Sequence, residues 1–143
     1  MEEPEVSQLT RRWLEKHLYK VKPEVGVSGT EREVILDYFG YREKEEPEIL
    51  WIECKGDVSL SQLLEGFIRT EFAVYYGGGH GILACPTKAI EKLMNHRDFL
   101  KQSENVICLL NVENPQLIKL NQQSDISRQT LPLRNTSAQS RLT

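Results

Sequence analysis

No apolar run in this chain approaches the roughly 18 residues of a membrane-spanning helix, and the first residues, MEEPE, are acidic rather than basic and apolar. The expectation is a cytoplasmic or otherwise intracellular protein with no membrane segment. Cysteine is scarce. Cys54, Cys85 and Cys108 stand too far apart for a zinc knuckle, and each falls in an apolar, strand-like segment. Three small buried thiols in a reducing compartment are therefore expected. His17, His80 and His96 show no metal-ligand spacing. Positive charge is not in excess: 18 Lys and Arg against 21 Asp and Glu give a formal net charge of −3. This excludes strong attraction of the whole molecule to nucleic acid and leaves any such surface local or supplied by a partner. GGGHG at 77–81 lacks the GK[ST] ending of a phosphate-binding loop and follows a helix rather than a strand, so it predicts a turn with His80 exposed.

With 143 residues, 39% apolar and 27% charged, the chain can bury roughly two thirds of its unfolded surface as one domain without a disulfide or structural metal. Val6, Leu9, Trp13, Leu14 and Leu18 recur at helical spacing over residues 5–19, and Pro23 followed by GVSG predicts the end of that helix. EVILDYF at 33–39 and the run at 49–55 predict two strands. The charged GYREKEEPE between them predicts a solvated loop, hence an antiparallel pair. Ser59 with Gln62 three positions on has capping-box spacing and opens an apolar helix to about residue 76. A short strand over 82–85, a helix after Thr87 and a last strand over 106–112 complete the pattern. The reading is mixed α/β, with a central sheet flanked by helices on both faces, because the late strands lack polar alternation. Residues 1–120 form one α/β domain on this reading, and the polar stretch 121–143 is a flexible tail or partner-binding arm.

The candidate chemistry lies in ILWIECKG. Strand alternation puts Glu53 and Lys55 on one face about 7 Å apart and turns Cys54 into the core. Charges at the end of a core strand need a partner, water or a metal. A hairpin centred near residue 43 or 44 sets Glu33 opposite Cys54 or Lys55, with Asp37 about 13 Å further along, while a bulge or a shifted turn favours Asp37. Two convergent carboxylates with open positions suit Mg²⁺. A neighbouring lysine adds a point charge for phosphate or for the attacking water. The alternative is an ordinary ion pair between Glu53 and Lys55 on a strand end; Glu33, the charged loop and the following helix favour the site.

An acidic residue on one hairpin strand, E-x-K at the end of the next and a helix carrying glutamine resemble the signature of the PD-(D/E)xK nuclease superfamily, the restriction-endonuclease-like fold that includes Holliday-junction resolvases. The matching residues are Glu33 or Asp37, Glu53 and Lys55 in IECKG, and Gln62 in SQLLEGF. The resemblance spans about residues 5–112. It implies that Glu33, Asp37 and Glu53 are the candidate metal ligands for Mg²⁺ or Mn²⁺, that Lys55 assists the nucleophilic water, and that Gln62 joins the site. It also offers Glu15 as the first-helix glutamate that many members contribute. No Pro-Asp precedes the first strand, which leaves the choice between Glu33 and Asp37 open.

Two function classes follow. One is a Mg²⁺-dependent deoxyribonuclease, with RNA not excluded as substrate, acting as a homodimer or as a subunit of a larger complex. The other is a catalytically inactive nucleic-acid-binding or assembly protein on the same fold. Among the other polar features, Arg11, Arg12 and Lys16 form one basic patch and Lys88, Lys92, Arg97 and Lys101 a looser one. Either could touch phosphates, and either reads as well as a solvated helix face. Arg69 is expected to pair with Glu65 across i,i+4, or else to meet a phosphate.

Overall fold

Helix α1 (Glu3–Lys16) opens the chain, with Pro4 and the acidic Glu3 and Glu5 in its first turn and Lys16 in its last, each placed as the helix dipole favours. The computed structural model describes residues 1–43 and 48–120. Val6, Thr10 and Leu14 form the buried stripe of α1, and the Thr10 hydroxyl is satisfied by the Val6 carbonyl at 2.7 Å. The helix ends at Lys16, earlier than its apolar pattern suggests. A turn through Leu18, with φ of 69°, leads into β1 (Lys20–Ser28) rather than into loop.

Six strands form one sheet in sequential order: β1, β2 (Glu33–Arg42), β3 (Glu48–Cys54), β4 (His80–Cys85), β5 (Ile107–Asn111) and β6 (Gln116–Lys119). The pairs β1–β2, β2–β3 and β5–β6 are antiparallel, whereas β3–β4 and β4–β5 are parallel. Helix α2 (Leu60–Gly77) makes the first parallel crossover, and α3 (Thr87–Met94) with the short α4 (Arg97–Leu100) makes the second. The expected mixed α/β architecture, with helices on both faces of a central sheet, is present.

Each face has its own core. Leu63, Phe67, Ala73 and Val74 of α2 and Ala89, Ile90 and Leu93 of α3 pack on Trp51, Leu83, Cys85 and Leu109. On the opposite face Val6 and Leu14 of α1 cover Ile52, Cys54, Ile82, Ala84 and Leu110. Consecutive residues of β3 and β4 therefore serve different cores, which explains their unbroken apolar runs. Strand β1, not anticipated from the sequence, lies at the sheet edge, where Pro23 is tolerated because its missing N–H faces no neighbour strand. The short β6 forms the other edge.

Helix α2 begins as its capping box predicts: Ser59 Oγ accepts from the Gln62 N–H, and Gln62 Oε1 takes the Ser59 N–H. It stops at glycine. Gly79, at φ of 79°, is obligatory, because a Cβ there would stand 2.5 Å from the Ile49 carbonyl oxygen. Gly78 offers its carbonyl to the Trp51 indole N–H at 2.9 Å, so the turn is tied to β3. His80 follows as the exposed first residue of β4.

Among the described residues no helix is long and apolar enough to cross a membrane. The polar arm expected over 121–143 and the centre of the charged loop, 44–47, lie outside the described residues.

Candidate active site

The β2–β3 register decides which carboxylate accompanies Glu53. Tyr38 pairs with Ile52, Phe39 with Trp51 and Gly40 with Leu50, so the hairpin is centred at residue 45 rather than at 43 or 44. The next residues along are Asp37 and Glu53. There the main-chain ladder stops: the Cys54 N–H is taken at 2.7 Å by Asp37 Oδ2 instead of by a carbonyl. The Asp37 side chain thus replaces a ladder bond at the point where the strands part. Glu33 is corrected by this register. It pairs with Ser28 at the exposed start of β2, and its carboxylate lies over Gly26 of β1.

Glu53 is buried, with 5% of its surface exposed. Its Oε2 accepts from Arg69 Nε at 2.8 Å. Its Oε1 is buried and has no hydrogen-bond partner among the described residues, which is unusual for a group whose desolvation is costly. Burial first, and then the charge of Asp37, push the Glu53 carboxyl up to about 7, against the opposing pull of Arg69 and Lys55.

Lys55 follows β3, held by its own N–H to the Ala84 carbonyl at 2.9 Å. Its stem lies over the middle of α2 at Gly66, where an added Cβ would come within 3.1 Å of Lys55 Cε. No side-chain bond holds its ammonium among the described residues. Cys54, between the two charged residues, faces the α1 core as alternation predicts, and burial raises its thiol well above the ordinary range. Burial likewise pushes the Cys85 thiol up to about 12, so neither is a nucleophile. Cys108 is only half-buried.

Arg69 is the cation whose place sequence reasoning missed. It does not pair with Glu65. From the second half of α2 it reaches Glu53, while its Nη2 donates to the Ile35 carbonyl of β2. The local i,i+4 acid, Glu65, was the nearer partner in sequence and masked the long-range one. Gln62 itself is exposed, and its side chain is committed to the Ser59 cap. The structure therefore does not bring it to the carboxylates. Glu15 is also elsewhere, exposed and paired with Arg11 at 3.3 Å.

An open groove of about 790 Å³ runs along α2, walled by Arg32, Leu60, Ser61, Leu64, Glu65, Ile68 and Arg69, and of these Arg69 reaches Glu53. The basic patch on α1 lies elsewhere: Arg12, Lys16 and His17 line a separate cleft with Trp13, Leu110 and Val112. In the looser patch Lys92 is engaged by Asp57 and the Val58 carbonyl, Lys101 by Asp98, and Arg97 by the Lys119 carbonyl.

Among the described residues no group of three or more His, Cys, Asp or Glu side chains could hold a metal. The carboxylates brought together are Asp37 and Glu53, with one Glu53 oxygen unsatisfied among the described residues. That pair fits a hard cation that keeps several waters, as Mg²⁺ does, and does not fit a site built wholly from protein ligands.

No protein-family model matches the chain, and no curated protein matches it. The fold is similar to that in the crystal structure of AF1548, a protein of unknown function, at 23% identity and a TM-score of 0.56, over 78% of this chain and 60% of that one. This chain thus spans less than two thirds of that protein, and the likeness establishes a shared fold.

Proposed function

We propose that the chain is a divalent-metal-dependent phosphodiesterase acting on DNA, built on a restriction-endonuclease-like core. The observation that carries this is the partnerless, buried Oε1 of Glu53 beside Asp37, at the point where β2 and β3 part. A carboxylate oxygen left bare in a core is explained by a cation that completes it.

Asp37 and Glu53 would hold the ion. Bound there, Mg²⁺ or Mn²⁺ supplies a lowered pKa for water and stabilises charge on a phosphoryl oxygen. The remaining work falls to the chain. Asp37 is fixed by the Cys54 N–H at 2.7 Å, so its carboxylate keeps one orientation. Lys55, its stem laid over Gly66 and its ammonium free of ion pairs among the described residues, would set a positive charge close enough to act on Glu53. There it orients the attacking water by hydrogen bonding and offsets the charge that develops as the phosphorus–oxygen ester bond breaks. The groove along α2, with Arg32 and Arg69 in its wall, receives the strand being cut.

A second reading is favoured by the Glu53–Arg69 ion pair, which already gives the buried carboxylate a structural partner. On that reading the scaffold binds nucleic acid or a partner protein and takes no cation.

Incubation with duplex, branched and single-stranded DNA in Mg²⁺ or Mn²⁺ separates them. The nuclease reading expects cleavage by the parent chain, loss of at least about 10²-fold in Glu53→Gln and in Asp37→Asn, and near-parental cleavage in Glu33→Gln. Cleavage that survives both Asp37→Asn and Glu53→Gln would exclude the proposed site. An absence of cleavage and of cation binding in the parent would favour the second reading.

A further inference from the structure

Arg69 makes two side-chain bonds to different strands. Its Nε donates to Glu53 Oε2 at 2.8 Å, and its Nη2 donates to the main-chain carbonyl of Ile35. The guanidinium is thus a rigid bracket from α2 across β3 to β2. One end is fixed on a main-chain atom, which cannot rotate away, and the other pins one oxygen of Glu53. The second oxygen, Oε1, is buried and bare.

We infer that Arg69 is a positioning residue for the cation site: by occupying Glu53 Oε2 from a fixed anchor it sets the carboxylate plane so that Oε1 is presented to the ion. The inference rests on the metal-dependent reading above. Three roles are open to a cation beside a metal ligand, and they differ in what they predict. A mere counter-charge would repel an incoming divalent ion, and its removal would tighten binding. A purely structural ion pair would change the melting temperature and leave cation affinity alone. A positioning bracket would lose affinity on substitution, because a freed carboxylate must be ordered again when the ion binds. The fork geometry favours the bracket. A guanidinium has five donors in a fixed plane and can serve two acceptors on different strands at once, whereas a lysine ammonium on a flexible stem cannot hold both in register. Partners that orient a metal ligand through its other polar atom typically change metal affinity by about 10- to 100-fold when removed.

The test is titration of the full chain with Mn²⁺ alone, following free Mn²⁺ by electron paramagnetic resonance, for the parent, Arg69→Lys and Arg69→Gln, with thermal melts to show that each is folded. The bracket predicts that both variants bind Mn²⁺ at least about tenfold more weakly, including Arg69→Lys, which keeps the charge. Unchanged affinity in a folded Arg69→Lys overturns the inference, as does tighter binding in Arg69→Gln. Should Arg69→Gln fail to fold, Arg69→Lys decides alone. A parent chain that binds no Mn²⁺ defeats the metal-dependent reading itself, and the positioning role with it. Parental binding with unaltered variants defeats only the role of Arg69.

Discussion

At the scale of single residues, Glu53, Asp37 and Lys55 differ in environment as much as in type. Glu53 is buried and half satisfied, Asp37 is tied to the Cys54 N–H, and Lys55 lies along α2 without an ion pair among the described residues. The sequence announced Glu53 and Lys55 because two charges ending an apolar strand demand a reason. It could not choose between Glu33 and Asp37, since moving the hairpin centre by one or two residues exchanges their places. Arg69 was hidden for a different reason: its partner is 16 residues away, and only the packing of α2 on β3 brings them together. The roles give a prediction for Lys55. Lys55→Met keeps the stem that covers Gly66 and removes only the ammonium, so cleavage should fall by about 10²-fold or more while the melting temperature stays near that of the parent. Parallel assays of cleavage and thermal unfolding check this, and a matched loss of both would mean that Lys55 serves the fold.

Individual elements differ in how plainly their chemistry is written. Helix α2 was legible at both ends, from the Ser59 and Gln62 cap to the glycines that stop it. Strand β1 was not, because Pro23, Gly26 and the charges around its three valines look like a helix terminator and turn. Only its position at the sheet edge makes those residues acceptable. The cap also occupies the Gln62 side chain, which is bonded to Ser59. Ser59→Ala should cost about 1 kcal/mol of stability. Gln62→Ala should cost less and leave cleavage within a few-fold of the parent. Denaturant titration and initial cleavage rates measure both, and a large catalytic loss in Gln62→Ala with unchanged stability would return Gln62 to the site.

For the molecule as a whole, the buried carboxylate links folding to pH and, on the metal-dependent reading, to cations. The folded-state pKa of Glu53 is raised from 4.5 to about 7. The folded chain therefore holds a proton that the unfolded chain releases, and stability declines as pH rises from about 4.5 to about 7, by about 3 kcal/mol at most. In the presence of a chelator the melting temperature should fall between pH 5 and pH 8. Mg²⁺ or Mn²⁺ at millimolar concentration should reverse most of that fall at pH 8, because the ion binds the ionised, folded form. Glu53→Gln should flatten both dependences, and a parent whose melting temperature rises over that pH range with chelator present would contradict the assignment.

The most direct measurement is the anomalous scattering of Mn²⁺ in crystals of the chain soaked at neutral pH. One strong peak is expected within bonding distance, about 2.2 Å, of Glu53 Oε1 and of an Asp37 oxygen, with Arg69 still on Glu53 Oε2. No peak between Asp37 and Glu53 at saturating Mn²⁺, or a peak that engages Glu33 instead, would contradict the proposed site.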